Sequence, residues 1–268
     1  MLSPVTNSFT DSHCHLDFPE FADDLTTILT NCQQANIKRI IVPSIAPKNW
    51  QQVLHLSKQF SGKNLSLLAC LGIHPWFLNE LSDSDLDALK KLASHHQAEI
   101  IAIGEAGIDG VIAQQHNNLH KQLHFFEYQL NLAHSLAKPI IVHHRKSHAE
   151  IVNLLKRHPL PKGGIIHAFS GSYQQAKAYL DLGFKLGIGG TISYERAQKT
   201  INTVKKLPLD SILLETDAPA MPLSGEQGQA NTPLNVVKVF DILCSLRAET
   251  PEIINQQLEQ NYQTLFNF

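Results

Sequence analysis

Short apolar runs alternate with helical patterns from one end of this chain to the other. The strand candidates are Phe9–Cys14, Arg39–Pro43, Leu65–Leu71, Ile100–Gly104, Ile140–His143, Gly164–His167, Phe184–Ile188 and Ser211–Leu214. Several are continuous Ile/Leu/Val runs rather than alternations of apolar and polar positions. That is the pattern of strands covered on both faces, as in parallel sheets. Between them, Leu119, Leu123, Phe126, Leu130 and Ala133 recur at helical spacing and mark one apolar stripe. Leu86, Leu89 and Leu92 mark another, with Ser82 and Asp85 ahead of it as a capping-box start. Asp24–Ala35, Lys48–Phe60, His148–Arg157, Ser172–Leu182, Glu195–Lys206, Leu234–Arg247 and Pro251–Phe266 read as further helices. Eight strands alternating with helices predict an α/β unit with a parallel sheet, and eight is the number that closes a TIM (β/α)8 barrel. The Gly- and Pro-bearing stretch from Ala218 to Pro233 reads as a long functional loop after the eighth strand.

Length supports the barrel: the chain has 268 residues, close to the ~250 typical of one such fold. No low-complexity linker or charge run divides it, so residues 1–268 are expected to form a single domain. Hydrophobic residues make up 43% and charged residues 17%, which suits a well-buried enzyme. The net charge of −2 argues against a broad basic surface for nucleic acid, because affinity for phosphate backbone comes mainly from Lys and Arg. It leaves room for an enzyme that touches one or two phosphates through metal ions. Cys14, Cys32, Cys70 and Cys244 form no CxxC pair, so neither a thiolate zinc site nor a redox motif is indicated. The N-terminus lacks a basic n-region, and Asp11 and His13 interrupt any apolar core, so no signal peptide is expected. No apolar stretch approaches the ~18 residues of a membrane span. The expectation is a cytoplasmic protein without membrane contact, and no obligate protein partner is indicated.

Six residues of metal-ligand type stand at or just past the carboxyl ends of apolar runs: His13, His15, Glu105, His143 or its neighbour His144, His167 and Asp217. Imidazole and carboxylate are what a catalytic divalent-metal site requires, and a barrel gathers strand ends at one mouth. Residues two apart in a strand face the same side, so His13 and His15 can both point into that mouth. Glu105 follows Ile100–Gly104, and its two oxygens could bridge two cations. Only one of His143 and His144 can face inward from a regular strand. Glu215 and Asp217 share strand spacing; Asp217, nearer the mouth, is the expected ligand and proton acceptor. Glu215 is expected to be structural, accepting a hydrogen bond from a ligand histidine. His74, ending the third strand before Pro75, is either a turn histidine or a hydrogen-bond donor facing substrate. Arg145 is either a helix-start cation or a fork for a phosphate. His116, His120 and His124 recur every four residues beside an apolar stripe, and a solvated helix face explains them better than a second metal site. His55, His95, His96, His134, His148 and His158 read as surface residues.

The segments DSHCHLD, LGIHPW, IGEAGID, IVHHR, IHAFSG and LETDAP, in this order along nearly the whole chain, resemble the TatD family of metal-dependent hydrolases within the amidohydrolase-like barrels. GIGGTISY, AQKT and the Gln227–Pro233 stretch are most similar to its YjjV-like branch. The resemblance implies one metal on His13, His15, Glu105 and Asp217 and a second on Glu105, His143 and His167. It also favours His143 over His144 as the inward residue. It implies a deoxyribonuclease with 3′–5′ exonuclease action. Two segments depart from the family pattern. Gly110-Val111 follows Asp109 where the family carries an aromatic, and the PAMPLSGEQGQANTP loop after Asp217 lacks the family's Arg and Asn-Glu-Pro.

The expected enzyme is a hydrolase of ester bonds with one or two divalent ions, Zn, Mn or Mg, at the barrel mouth. Four imidazoles favour Zn or Mn over Mg, which prefers oxygen ligands. Asp217 and Glu105 are the expected catalytic carboxylates, and His74 and Arg145 would hold substrate. The substrate is expected to be DNA ends or a small phosphorylated or ester compound. The same centre could instead cleave a small ester, lactone, amide or aminoacyl-tRNA ester, since it activates water for either chemistry. A barrel that keeps metal only for structure ranks last, because structural zinc sites are usually closed by four protein ligands.

Overall fold

A computed structural model describes residues 7–267. Its centre is an eight-stranded parallel sheet whose strands neighbour one another in chain order: β1 (Phe9–Asp11), β2 (Ile37–Pro43), β3 (Ser66–Leu71), β4 (Ile100–Asp109), β5 (Ile140–Arg145), β6 (Gly164–Ile166), β7 (Phe184–Ile188) and β8 (Ile212–Leu214). Their Ile, Leu, Val and Ala side chains are almost all buried, as strands require when they are covered on both faces. Helices α1 (Leu25–Gln34), α2 (Trp50–Phe60), α3 (Asp83–His95), α4 (Gly110–His116), α5 (Leu119–Ser135), α6 (His148–Arg157), α7 (Tyr173–Leu180), α8 (Gln198–Val204), α9 (Asn235–Leu246) and α10 (Pro251–Phe266) fill the connections. Phe126, Leu130 and Ala133 of the stripe on α5 are fully buried.

Beyond the strand ends, backbone and side-chain bonds draw β1 and β8 together and complete a (β/α)8 barrel. Ser12 N–H donates to Leu214 O (2.9 Å), Asp217 N–H to His13 O (2.9 Å) and His15 N–H to Ala218 O (2.8 Å). Buried Asp11 adds a side-chain tie: Oδ1 accepts from the N–H groups of His13 and Thr216, and Oδ2 lies 2.6 Å from the Thr216 hydroxyl. Tyr262 of α10 accepts from Leu214 N–H (2.8 Å) and sets its hydroxyl 2.9 Å from the carbonyls of Thr10 and Leu214.

Several boundaries differ from the pattern-based expectation. Hydrogen-bonded pairing of β1 ends at Asp11, so His13 and His15 follow the strand instead of ending it. Strand β4 runs to Asp109, because Ala106–Asp109 pair with Val142–Arg145 after a register shift between Ile103 and Ala106. Glu105 lies in that irregularity, where its N–H donates to Ser44 O rather than continuing the ladder. The stretch after Asp109 is helical: Asp109 caps α4 by accepting from Val111 N–H and Ile112 N–H. Asn117, left-handed at φ 49°, then breaks the chain before α5. His116 and His120 therefore lie on different helices, and both are exposed with His124. Asp217 also leaves strand geometry, with φ 57°, so alternation from Glu215 does not set its direction.

Candidate metal centre

The carboxyl ends of the strands gather His15, His74, Glu105, His143, His167 and Asp217 around one cavity of about 410 Å3, with fully buried His13 against Glu105 and Asp217 behind it. Glu105 is its pivot, 2% exposed, and its two oxygens face different partners. Oε2 lies 3.1 Å from His13 Nε2 and 3.4 Å from His15 Nε2. Oε1 lies 3.0 Å from His143 Nδ1, 3.3 Å from His74 Nε2 and 3.5 Å from His167 Nε2. Asp217 Oδ1 stands 3.6 Å from His13 Nε2 and 3.7 Å from His15 Nε2, on the first of these sides.

Outer hydrogen-bond partners decide which ring nitrogens are free to bind an ion. His143 sets Nε2 3.2 Å from Asp109 Oδ2. With the proton there, the Nδ1 lone pair faces Glu105. His167 sets Nδ1 3.2 Å from Glu215 Oε1, within ion-pair reach though not aligned as a hydrogen bond, and keeps Nε2 on the Glu105 side. His74 is different. Its Nδ1 accepts from Trp76 N–H (3.1 Å), so the neutral ring carries its proton on Nε2 and directs it at Glu105. Geometry groups His74, Glu105 and His143 closely enough to hold an ion, but this tautomer makes His74 a donor rather than a ligand. His13, His15 and Glu105 also fall within ion-holding distance of one another. The Nε2 atoms of His13 and His15 lie 3.2 Å apart against a carboxylate in a buried cage. Imidazole and carboxylate donors in that arrangement fit a divalent cation of the zinc or manganese type.

The electrostatics follow from burial and this crowding. Burial resists charge on Glu105, but His74, His13 and His167 outweigh it and hold the carboxyl well below its usual range. Burial lifts Asp217 to about 6 against the pull of His167 and His15. Burial, reinforced by His167, keeps His13 neutral, and burial lowers His74 to about 4 despite Glu105. For His167 burial is overcome by Glu215, Asp217 and Glu105, which raise it to about 10. His15 and His143 are also raised: burial opposes the shift, and Glu105, with Asp109 for His143, outweighs it.

The remaining candidates sit farther out. Arg145 is half exposed at the rim, its Nη1 3.9 Å from Asp109 Oδ2. His144 turns outward and packs on Phe169 and Tyr179. His148, expected at the surface, is partly buried with its ring edge-on to Tyr179 at 5.0 Å. Gly110 approaches Lys146 rather than the cavity; a Cβ there would lie 2.4 Å from Lys146 O. Ala220 and Met221 of the loop after Asp217 do line the cavity.

Sequence reasoning passed over Asp109 and Asp11. Asp109 is fully buried, and besides His143 and the α4 amides it accepts from the Trp76 indole N–H at 2.7 Å. A signal existed: Asp109 stands four residues after Glu105, on the same strand face if the run continues. Two glycines make the outer partners possible. A Cβ on Gly187 would lie 2.0 Å from Glu215 Oε2, and one on Gly107 would lie 2.1 Å from His143 O.

A profile of the family described as "TatD related DNase" matches residues 10–267. The chain is 43% identical over 259 residues to "Uncharacterized metal-dependent hydrolase YjjV" of Escherichia coli K12, covering 97% of this chain and 98% of that one. A Haemophilus influenzae protein also called an uncharacterized metal-dependent hydrolase is 38% identical over 263 residues, covering 97% and 99%. The crystal structure of the E. coli protein, described as a TatD homologue, superposes with a TM-score of 0.91 over 97% of this chain and 98% of that one. A Campylobacter jejuni dihydroorotase, 13% identical, superposes at 0.65 over 98% of this chain and 84% of its own, a likeness of fold alone.

Proposed function

We propose that this chain, which belongs to the TatD-related DNase family, is a metal-dependent hydrolase that cleaves phosphodiester bonds at the 3′ ends of DNA. The observation that carries this reading is the division of Glu105: Oε2 faces His13 and His15, and Oε1 faces His143 and His167. This division would suit two cations, one held by His13, His15 and Asp217 and the other by His143 and His167, with Glu105 serving both. Zn or Mn suits these imidazoles better than Mg. Bound there, divalent ions supply acidified water and neutralise charge developing on the scissile group.

The chain's own residues supply the rest. Glu105 stays ionised across the physiological range and offsets cation charge. Asp217, near 6, is ionised at pH 7 yet basic enough to accept a proton from attacking water. Neutral His74 donates from Nε2 toward the reacting centre. Half-exposed Trp76, its indole N–H fixed by Asp109, gives a nucleobase a flat apolar face beside the ions, and Arg145 stands at the rim for a phosphate. All four cysteines are free, which supports a reducing compartment such as the cytoplasm. Among the described residues no helix is long and apolar enough to cross a membrane.

A second reading, hydrolysis of a small ester, lactone, amide or aminoacyl-tRNA ester, draws support from apolar lining: Phe18, Phe77, Ala220 and Met221 face the same cavity. One experiment separates the two. The purified protein, stripped by chelator and reloaded with Mn, Zn or Mg, is incubated with 5′-labelled single-stranded DNA and, separately, with a carboxyl-ester panel. Stepwise shortening that requires metal supports the nuclease; intact DNA with metal-dependent ester turnover rejects it.

A further inference from the structure

Beside the metal cavity lies a second cavity of about 430 Å3, formed by the end of β5 and the segments that follow β5 and β6, the first residue of α6, one face of α7 and Lys199 of α8. His144, Arg145 and Ser170 line both, so the two adjoin at the rim. The second cavity has an unusual lining. Arg145, Lys146 and Lys199 contribute three cations, and no Asp or Glu takes part. Neither lysine forms an ion pair among the described residues. Three buried polar atoms of the lining, His144 Nε2, His148 Nδ1 and the Tyr179 hydroxyl, have no hydrogen-bond partner. Tyr179 is fully buried. Glu150, the carboxylate that acts on His148 and Tyr179, stays outside the lining.

Unpartnered buried donors are costly unless something fills the space beside them. An oxyanion suits this set: cations at the edge, a hydroxyl and imidazole N–H groups deeper in, and no competing carboxylate. We propose that this cavity binds a second phosphate of the substrate, next along the chain from the bond being cut. Arg145, shared by both cavities, would then stand between the scissile phosphate and the second one. The inference rests on the phosphodiester reading of the metal centre and narrows it: the preferred substrate is a polyanion of at least two phosphates, not a single ester.

The test uses intact metal-loaded protein and the double variant Lys146→Ala/Lys199→Ala. Both lysines are exposed and outside the metal cluster. Two substrates are compared: a dinucleoside monophosphate carrying only the scissile phosphate, and a tetranucleotide. The double variant should raise KM for the tetranucleotide about ten-fold, leave its kcat within about two-fold, and leave both constants for the dinucleoside unchanged. An equal rise for both substrates, or for neither, overturns the proposal. If wild type cleaves neither substrate, the phosphodiester reading fails, and titration with inorganic phosphate followed by 31P NMR judges the cavity alone. Binding that weakens in the double variant keeps an oxyanion site whose source is free phosphate; binding unaffected by the lysines, or no binding, removes it.

Discussion

At the floor of the mouth, Glu105 is 2% exposed and lies within 3.5 Å of five histidines. At the rim, Trp76 is 48% exposed, with its indole N–H donating to Asp109. The floor is set by where strands end, and its charged groups survive burial only because they face one another. The rim is set by loops and short helices, and solvent leaves it freer to vary. Chemistry should therefore reside in the floor and substrate choice in the rim, with Asp109 tying the two together.

Glu105→Ala would break the floor most severely. Metal content and activity should fall together, activity by about a thousand-fold or more, while far-UV circular dichroism stays that of the wild type. Elemental analysis of the purified variant is decisive: unchanged metal stoichiometry would refute the bridging role.

Asp109→Ala tests the tie. Freed of Asp109, His143 can take the wrong tautomer and Trp76 loses its anchor. Metal affinity or activity should drop about 10- to 100-fold, and Trp76 fluorescence should shift in the same variant. A drop in activity with neither metal affinity nor fluorescence altered would separate floor from rim and break the comparison.

The floor was legible in the sequence because each ligand stands at or just past a continuous apolar run, as His167 after Gly164–Ile166 and Asp217 after Ile212–Leu214 do. Even there the local geometry was hidden. Glu105 is aimed by a register shift that no periodicity announces, and Asp217 by a left-handed turn. The rim was less legible, because its residues are set by what they cap or pack against. Asp109 reads as a loop acid until β4 is known to run ten residues and α4 to begin on its carboxylate. Gly110, a poor helix former, conceals that helix. Asp11 gives no pattern at all, since its partners His13 and Thr216 lie two and 205 residues away.

His143 and His144 carry the comparison to adjacent residues, one turned to the floor and one away from it. Burial first, then His143 and His167, lowers His144 to about 3 from its usual 6.5. The unfolded chain therefore binds a proton at His144 between pH 6.5 and about 3 that the folded protein refuses. Its stabilising contribution is complete above pH 6.5 and is lost as pH falls through that window. Between pH 6.5 and 5 the loss is about 1–2 kcal/mol. His144→Phe, which cannot take a proton, should remove that part of the acid decline. Urea denaturation of both proteins at pH 6.5 and pH 5 measures it, and identical declines would mean that His144 is not held neutral.

The smallest effect belongs to the rim itself. Trp76→Ala deletes an apolar face beside the ligand cluster without touching Glu105; Asp109 loses its indole donor but keeps His143 and the α4 amides. If the face stacks on a base, its loss costs about 1 kcal/mol of binding, the low end for one base on an aromatic ring. KM for single-stranded DNA should then rise about five-fold with kcat nearly constant, whereas Trp76→Phe should restore most of it. A fall in kcat at constant KM would instead mean that Trp76 acts through Asp109 on His143. In that case the rim would belong to the chemistry of the floor, and the distinction between them would fail at the bond from Trp76 to Asp109.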